Sequence, residues 1–138
     1  MLKTAFVITF AFFASAAQAE YLTAKVDVSD QRMTVFVDGA AVHHWPVSTA
    51  RPGKITPRGD YGVQSMRRMH YSSLYNNAPM PYTIFFRGNY AIHGTNHVKK
   101  LGRPASAGCV RLHTENAALL YAMVKEYGRG NVKITVVD

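Results

Sequence analysis

The sequence holds a single cysteine, Cys109, and two histidines precede it at close range, His93 and His97. A free thiol has a pKa of about 8.5 and reacts as the thiolate, so a cysteine nucleophile needs a base nearby. A histidine can supply that base, and cysteine with histidine is a common nucleophile–base pair. Residues 94–108 can fold back so that His93 and Cys109 meet. These residues predict a cysteine nucleophile with a histidine as its base.

Small and polar residues surround the thiol. The four residues before it are Ala105, Ser106, Ala107 and Gly108, which leave room for a substrate and bring backbone N–H groups close to a developing oxyanion. Ser106 could hydrogen-bond a histidine or only shape the turn, and both interpretations stay open. Arg111 lies two residues beyond the thiol, where its guanidinium could bind a substrate carboxylate by a bidentate contact. The alternative for Arg111 is a structural salt bridge.

Further motifs lie on both sides of the cysteine. They are His93-Gly94-Thr95, Gly102, Ser106-x-Gly108-Cys109-Val110-Arg111-Leu112, Thr56-Pro57-Arg58-Gly59-Asp60-Tyr61, and Met80-Pro81-Tyr82 leading into Ile92-His93-Gly94. Together they resemble the signature of the YkuD-type L,D-transpeptidases, bacterial cell-wall enzymes with a cysteine nucleophile. The Ser-x-Gly-Cys-Val-Arg run at this distance from His-Gly is the specific part of the match. The resemblance covers roughly Tyr21 to Asp138.

The resemblance implies a role for each motif residue. Cys109 would be the nucleophile and His93 the base, with the carbonyl of Gly94 orienting the imidazole ring. Backbone N–H groups near Gly108 and Cys109 would form the oxyanion hole. Tyr82 would join the substrate-binding residues. This chemistry needs no metal or cofactor, and the implied fold is a β-sandwich with the cysteine in a cleft.

The implied reaction is acyl transfer on the stem tetrapeptides of peptidoglycan. The thiolate would attack the carbonyl after the third residue, at an L-to-D junction, release the terminal D-alanine and leave a thioester acyl-enzyme. The acceptor could be the side-chain amine of another stem, which gives a 3–3 crosslink, or the N-terminus of an outer-membrane protein. Water as acceptor would make the same site an L,D-carboxypeptidase. Carbapenems acylate many enzymes of the family.

The sequence departs from the family pattern at Ala107. Many members carry a second histidine at this position, immediately before the Gly-Cys pair, and that histidine is thought to help the oxyanion hole or the substrate. Its absence leaves the pair of His93 and Cys109 intact. We expect that substrate preference could differ as a result.

Other interpretations of these residues compete with the enzyme. The spacings His93-x-x-x-His97 and Cys109-x-x-x-His113 resemble those of zinc ligands, although such spacing brings side chains together on a helix and residues 93–97 follow a β-prone run. A papain-like or amidase-type cysteine hydrolase usually has its cysteine before its histidine, and here His93 comes first. In a non-catalytic wall-binding module Cys109 would be incidental, which thiol labelling near neutral pH would reveal.

The N-terminal segment has the features of an export signal. Lys3 gives a positive start, residues 5–14 are apolar but too few to span a bilayer comfortably, and Ala17-Gln18-Ala19 is an A-x-A cleavage site. We expect residues 1–19 to be a signal peptide that is removed on export to the periplasm. Residues 20–138 would then form one catalytic domain. No later stretch is apolar enough for a membrane span.

The chain is basic, with 16 lysines and arginines against 8 acidic residues and a net charge of +8. Such a charge suits a polyanionic neighbour. For an exported chain, a cell-wall polymer or an anionic membrane surface fits better than nucleic acid. A solvated basic face that only aids solubility is the alternative. With one cysteine the chain forms no intrachain disulfide, so Cys109 is not a structural staple.

The elements that must position these residues are mostly strands. Alternating apolar and polar residues and β-prone runs predict strands at residues 22–28, 33–37, 41–47, 61–66, 82–86, 90–93, 109–112 and 132–137. Asp38-Gly39 predicts a hairpin turn, and residues 48–59 read as a basic loop. In the third strand, His43 and His44 should point to opposite faces.

One irregular segment and one helix complete the prediction. Residues 67–81 mix tyrosines, asparagines and prolines, which favours a mobile, substrate-facing flap over a surface excursion packed by its own tyrosines. Residues 116–127 carry a helical apolar stripe, with Thr114 as the N-cap and Gly128 at the end. The sum is a mostly β domain, a sandwich or flattened barrel of about eight strands with one helix near the C-terminus.

Overall fold

The computed structural model describes residues 2–11 and 21–138. Residues 2–11 are exposed and have neither helix nor strand, and the predicted cleavage site at Ala19 lies outside the described residues. Within the described ranges, no helix is long and apolar enough to cross a membrane.

Two β-sheets and one α-helix make up the described fold. The strands are β1 (Leu22–Asp27), β2 (Arg32–Val37), β3 (Ala40–Pro46), β4 (Gly59–Tyr61), β5 (Ser65–Tyr71), β6 (Pro79–Arg87), β7 (Tyr90–Thr95), β8 (Val110–His113) and β9 (Val132–Val137). The helix α1 (Thr114–Tyr127) follows β8, and short 3₁₀ turns cover Val98–Lys100 and Arg129–Asn131. The predicted mostly β fold with one helix near the C-terminus is confirmed, with nine strands in the described part.

The core lies between the two sheets and α1. The five-stranded sheet has the order β3-β2-β1-β9-β4, and the four-stranded sheet has the order β5-β6-β7-β8. Every second residue of β1 and β9 is buried because side chains alternate across a strand. Buried residues of both sheets, such as Ile134 and Phe86, join Leu120 of α1 in one cluster. Each fully buried side chain of this size contributes roughly 1.5–3 kcal/mol.

The site residues depend on the second sheet. Strand β7 forms a hairpin with β6 and runs parallel to β8, with Ile92 opposite Val110 and His93 opposite Arg111. Helix α1 begins directly after β8 and packs on β6 and β7. The predicted strand that delivers His93 is confirmed, although His93 is followed by two more strand residues.

The predicted strand at residues 61–66 is wrong because the chain changes sheets there. Tyr61 ends β4 opposite Ile134 in the first sheet, whereas Ser65 starts β5 opposite Phe85 in the second sheet. The three residues between them connect the two layers. A run of β-prone residues predicts extended backbone, but it carries no information about which sheet each end joins.

The predicted irregular flap at residues 67–81 is mostly a hairpin. Strands β5 and β6 pair up to Tyr71 and Pro79, so only residues 72–78 form the connecting turn. Prolines at 79 and 81 hid this hairpin from the sequence pattern, since proline is uncommon within strands. The segment does line the cavity that contains Cys109, as expected, and its greater mobility stays a prediction.

The N-cap of the helix lies one residue before the predicted N-cap, Thr114. Thr114 is the first helical residue, and His113 is the N-cap, whose Nδ1 accepts a hydrogen bond from the backbone N–H of Glu115 over 3.3 Å. Gly128 ends the helix at φ 84°, as predicted. His113 therefore caps α1 and is not aimed at Cys109 as a metal ligand.

Candidate active site

The proposed nucleophile, Cys109, and the proposed base, His93, line the same cavity. Its volume is about 770 Å³, and Cys109, His93, Arg111 and Ser106 are among the residues that line it. Residues of the β5–β6 hairpin and of its turn at residues 72–78 also line this cavity. A cavity of this size accommodates a peptide of a few residues or a drug-sized molecule.

His93 is held in one tautomer by the next residue. Its Nδ1 lies 2.7 Å from the carbonyl oxygen of Gly94, and a carbonyl can only accept, so Nδ1 carries the proton and Nε2 keeps its lone pair. Burial is the main reason why the pKa of His93 is lowered to about 4. The hydrogen bond to Gly94 raises this pKa, whereas the charges of Arg111 and His70 lower it further. The imidazole is therefore neutral at pH 7 and able to accept a proton.

Gly94 occupies a position that a side chain would not fit. A Cβ on this residue would lie 2.9 Å from Cα of Thr114 and 3.1 Å from Cγ of Pro81. The start of α1 and strand β6 therefore close on the backbone at Gly94. This close approach fixes the carbonyl that orients His93, the role that the family resemblance implied for Gly94.

Cys109 lies just before β8. Its Sγ donates to the carbonyl oxygen of Asn89 over 3.6 Å. Burial raises the pKa of the Cys109 thiol, partly offset by the backbone N–H of Ala91 and the charge of Arg111. At neutral pH the resting pair is therefore a neutral thiol and a neutral imidazole.

Strand register brings Cys109 and His93 to the same face of the sheet. Extended by one residue, the parallel pairing of β7 with β8 puts Cys109 beside Ala91, two residues from His93. Residues two apart on a strand point to the same side, so the thiol and the imidazole are diagonal neighbours. No hydrogen bond joins them in the described structure, and proton transfer requires a small approach of the two groups. Catalytic hydrogen bonds are commonly long in structures without a substrate.

Ser106 shapes the turn before the cysteine and does not bond to His93. Its hydroxyl donates to the carbonyl oxygen of Cys109 over 2.6 Å and accepts from the backbone N–H of Gly108 over 3.1 Å. This decides between the two interpretations that the sequence left open. It also engages the Gly108 N–H, which would have to leave Ser106 to serve in an oxyanion hole.

Thr56 was part of a motif without an assigned role, and the structure shows its contact. Its buried hydroxyl donates to the carbonyl oxygen of Gly108 over 2.8 Å and accepts from the N–H of Ala50 over 3.0 Å. Gly108 itself has φ 140°, and a Cβ there would lie 2.6 Å from Cε1 of Tyr90. Thr56 therefore fixes the backbone beside Cys109.

Arg111 is half-buried at the floor of the cavity. Burial lowers its pKa, with a raising effect from Cys109 and a lowering effect from Arg51. The one salt bridge among the described residues joins Arg58 to Asp138, so the alternative of a structural salt bridge at Arg111 is not what the structure shows. Its guanidinium is left to face the cavity beside the thiol.

Tyr82 lies away from the cavity, contrary to the expected substrate contact. Its ring meets that of Tyr121 on α1 edge to face, with the centroids 5.7 Å apart. Its backbone has φ 54°, an unusual value for a residue in a strand. This kink in β6 turns the side chain toward the helix while Pro81 and Met80 line the cavity.

The histidine spacings that suggested zinc do not converge. His97 lines the cavity and His113 caps α1, and no group of three metal-binding side chains occurs within residues 2–11 and 21–138. The adjacent pair in β3 separates as expected: His43 stacks on Trp45 with centroids 4.8 Å apart, and His44 is exposed beside Thr34.

A family model for the L,D-transpeptidase catalytic domain, YkuD, matches residues 23–136. The chain belongs to this family. The match contains both sheets, α1 and every residue of the site described above. The family acts on peptidoglycan, which agrees with the partner that the motifs implied.

Relatives of the YkuD family agree in fold. The YkuD protein of Bacillus subtilis is 22% identical over 103 residues, which cover 72% of this chain and 58% of the relative. An L,D-transpeptidase structure from Mycobacterium tuberculosis H37Rv matches with a TM-score of 0.78 and 25% identity, covering 86% of this chain and 58% of that one. The LD transpeptidase LdtMt1, solved in complex with imipenem, matches with a TM-score of 0.77 and 23% identity, covering 86% and 59%. The chain thus spans about three fifths of these proteins.

Two further residues of this YkuD-family site escaped the sequence analysis. His70 lines the cavity from β5 and contributes to the low pKa of His93. Arg51 lines it from the segment that follows β3. Both were hidden in segments predicted as loops, and only the three-dimensional structure brings them beside the motif residues.

Proposed function

We propose that this chain is a cysteine-dependent L,D-transpeptidase that acts on the tetrapeptide stems of peptidoglycan. The observation that carries the proposal is the shared cavity of Cys109 and His93, in which Gly94 holds the imidazole with Nε2 as the basic nitrogen. Membership of the YkuD family supports the same reaction class.

The first half-reaction forms a thioester. When a stem enters, Nε2 of His93 takes the thiol proton of Cys109 as the sulfur attacks the carbonyl of the third residue. The tetrahedral oxyanion collapses, the bond to D-alanine breaks, and His93 returns the proton to the departing amine. Since thiol and imidazole are both neutral at rest, the charge separation arises only during attack, where Arg111 beside the sulfur stabilises it.

The second half-reaction transfers the acyl group to an acceptor. An amine attacks the thioester carbonyl and gives its proton to His93, and the Cys109 thiol is restored when that proton returns to sulfur. A stem side-chain amine gives a 3–3 crosslink, and the N-terminus of an outer-membrane protein gives a covalent attachment. Water gives the L,D-carboxypeptidase reaction at the same residues.

The proposed location is the periplasm, after export and removal of residues 1–19. The proposal rests on Lys3, the apolar run and the Ala17-Gln18-Ala19 site in the sequence. It agrees with a substrate that lies outside the inner membrane.

Incubation of the purified protein with disaccharide-tetrapeptide tests the reaction. Mass spectrometry should show loss of D-alanine together with a crosslinked dimer or, with water as acceptor, the tripeptide product. The Cys109→Ala protein is the matched control. Wild-type protein that leaves the tetrapeptide unchanged would exclude both the transferase and the carboxypeptidase and leave a wall-binding module. Because LdtMt1 was solved with imipenem, this carbapenem is a convenient reagent for the proposed nucleophile.

A further inference from the structure

The wall of the catalytic cavity is basic. Its lining includes three arginines, Arg51, Arg87 and Arg111, and no aspartate or glutamate is among the described lining residues. Cationic clefts concentrate anions by electrostatic focusing. The ligand that fits such a wall therefore carries a negative charge.

Arg111 is fixed beside the nucleophile by its backbone. Its N–H donates to the carbonyl of Ser48 over 2.9 Å, and its own carbonyl accepts from Ser48 N–H over 3.0 Å. Its side chain has no hydrogen-bond acceptor in the described part of the chain, although it is half-buried. A partly desolvated guanidinium without a partner is stabilised by a bound anion.

Arg51 is brought to the same place by the segment that starts at Ser48. The carbonyl of Thr49 accepts from the N–H groups of Ala105 and Ser106 over 3.0 and 2.8 Å, and Arg51 N–H donates to the carbonyl of Ser106 over 2.9 Å. These bonds tie the segment to the turn that carries the cysteine. The charge of Arg51 acts on Arg111, after the larger effects of burial and of Cys109, by lowering its pKa.

The third arginine of the wall is partly engaged elsewhere. Nη1 of Arg87 lies 3.5 Å from the hydroxyl of Tyr61, outside the group around Cys109. Arg51 has no corresponding side-chain bond within residues 2–11 and 21–138. Two guanidinium groups without a side-chain acceptor among the described residues, those of Arg51 and Arg111, therefore line the cavity that contains Cys109.

We propose that Arg51 and Arg111 together form a subsite for the C-terminal carboxylate of the donor peptide. This rests on the proposed function. The carboxylate carbon of a residue lies about 3–3.7 Å from the carbonyl carbon of the residue before it, by standard backbone dimensions. Since Arg51, Arg111 and Cys109 line one cavity, a carboxylate held by both guanidinium groups would leave the preceding carbonyl to be attacked by the thiol. A donor with one more residue would place its carboxylate about 3.5 Å too far away.

The subsite makes Arg51 a specificity-determining residue. Planar guanidinium groups bind carboxylates through paired charge-assisted hydrogen bonds, which lysine cannot reproduce. Departure of D-alanine removes the anion from the subsite and leaves the acyl-enzyme with this end of the cavity open. The carboxylate at this subsite could instead belong to the part of the stem that stays bound to the enzyme. The experiment below distinguishes that carboxylate from the C-terminal one.

The test compares the tetrapeptide with two amides, one at the C-terminus and one at the side-chain carboxylate of its third residue. We expect the C-terminal amide to lower kcat/KM of the wild type by about 10–100-fold, the range for hydrogen bonds to charged groups. The Arg51→Gln protein should lose about tenfold on the free acid and little on the C-terminal amide. Arg51→Lys should restore only part of the difference. Lys54→Gln, which removes a nearby exposed charge outside the cavity lining, is the matched control and should behave as wild type.

Binding to the Cys109→Ala protein gives a readout that needs no turnover. Calorimetry should show tighter binding of the free acid than of its C-terminal amide, and Arg51→Gln in the same background should remove the difference. Equal binding of the two peptides, or full discrimination retained by Arg51→Gln, would overturn the subsite. Discrimination against the side-chain amide alone would also overturn it, since the anion would then belong to the retained part of the stem. A wild type that binds with this discrimination and releases no D-alanine would defeat the proposed reaction and leave the subsite standing.

Discussion

Nδ1 of His93 lies 2.7 Å from the carbonyl oxygen of the next residue, Gly94, whose missing side chain lets Thr114 and Pro81 pack against its backbone. The base, its orienting carbonyl and the start of α1 are therefore one structural unit. A change in the packing at the start of α1 should therefore also change the orientation of the His93 imidazole.

Gly94→Ala should disrupt this unit. The new Cβ would lie 2.9 Å from a backbone atom of Thr114, so the backbone must shift, and overpacking of this kind costs about 1–3 kcal/mol. We expect the free energy of unfolding to fall by that amount in urea denaturation, together with a loss of D-alanine release from the tetrapeptide. Gly130→Ala, where nothing lies within 4 Å of the added Cβ, is the control. Activity at the wild-type level in Gly94→Ala would contradict the coupling of base and helix.

The low pKa of His93 predicts a dependence of stability on pH. The residue titrates near 6.5 in the unfolded chain and near 4 in the folded chain, mainly because it is buried. Between these values only the unfolded chain takes up the proton, so stability falls as the pH drops from 6.5 to 4, by about 3 kcal/mol in all. Below pH 4 both states are protonated and His93 contributes no further loss. Urea denaturation at several pH values should show this slope in the wild type and in His97→Gln, and its absence in His93→Gln would confirm the assignment.

Loss of Cys109, the proposed nucleophile, should abolish formation of the proposed acyl-enzyme. Cys109→Ala should give no imipenem adduct by intact-mass measurement, where the wild type gives one, and Cys109→Ser should leave at most a trace because a serine hydroxyl is far less ionised. His93→Ala should keep the fold and slow the acylation. An equal adduct on Cys109→Ala, or wild-type rates in His93→Ala, would mean that the catalytic centre lies elsewhere.

Thr56→Val should weaken the backbone beside the nucleophile. Valine keeps the shape of threonine but leaves the carbonyl of Gly108 and the N–H of Ala50 without their partner, which costs about 1–3 kcal/mol. We expect lower stability and slower acylation of Cys109. Thr23→Val, at a half-buried position in β1 remote from the site, serves for comparison. Acylation at the wild-type rate would limit Thr56 to a role in stability.

Processing is predicted to produce a mature N-terminus at Glu20. The reason is the arrangement of Lys3, the apolar residues 5–14 and the Ala17-Gln18-Ala19 site. N-terminal sequencing of protein recovered from the periplasm should start at Glu20. Exported protein that retains Met1 would be inconsistent with cleavage.

The location of Cys109 and His93 in one cavity could be predicted from the sequence because it depends on residue types that are few in this chain. One cysteine and a His-Gly pair before it define the motif, and strand periodicity predicts that His93 ends a strand. The direction of Tyr82 was not readable, since it follows from a positive φ inside β6 that no neighbouring residue signals. The hydrogen bond from the Gly108 N–H to the Ser106 hydroxyl was also not predictable, because the same sequence is compatible with several turn geometries.

The position of Arg51 at the cavity and the change of sheet after Tyr61 could not be predicted from the sequence, for the same reason. Each depends on contacts between residues distant in sequence: Arg51 with Ser106, and Tyr61 with Ile134. Local patterns predict extended or irregular backbone in those segments. Local patterns do not identify the distant residue with which each segment pairs.

The neutral state of the resting thiol has a consequence for the durability of the protein. A thiolate attacks peroxides and disulfides far faster than a protonated thiol does. Burial and the hydrogen bond to Asn89 keep Cys109 protonated, so its lone sulfur is poorly reactive toward oxidants while the cavity is empty. This neutral state thereby protects a cysteine that has no second cysteine in the chain to restore it after oxidation. In the proposed mechanism, the same neutral state delays proton transfer until a substrate arrives.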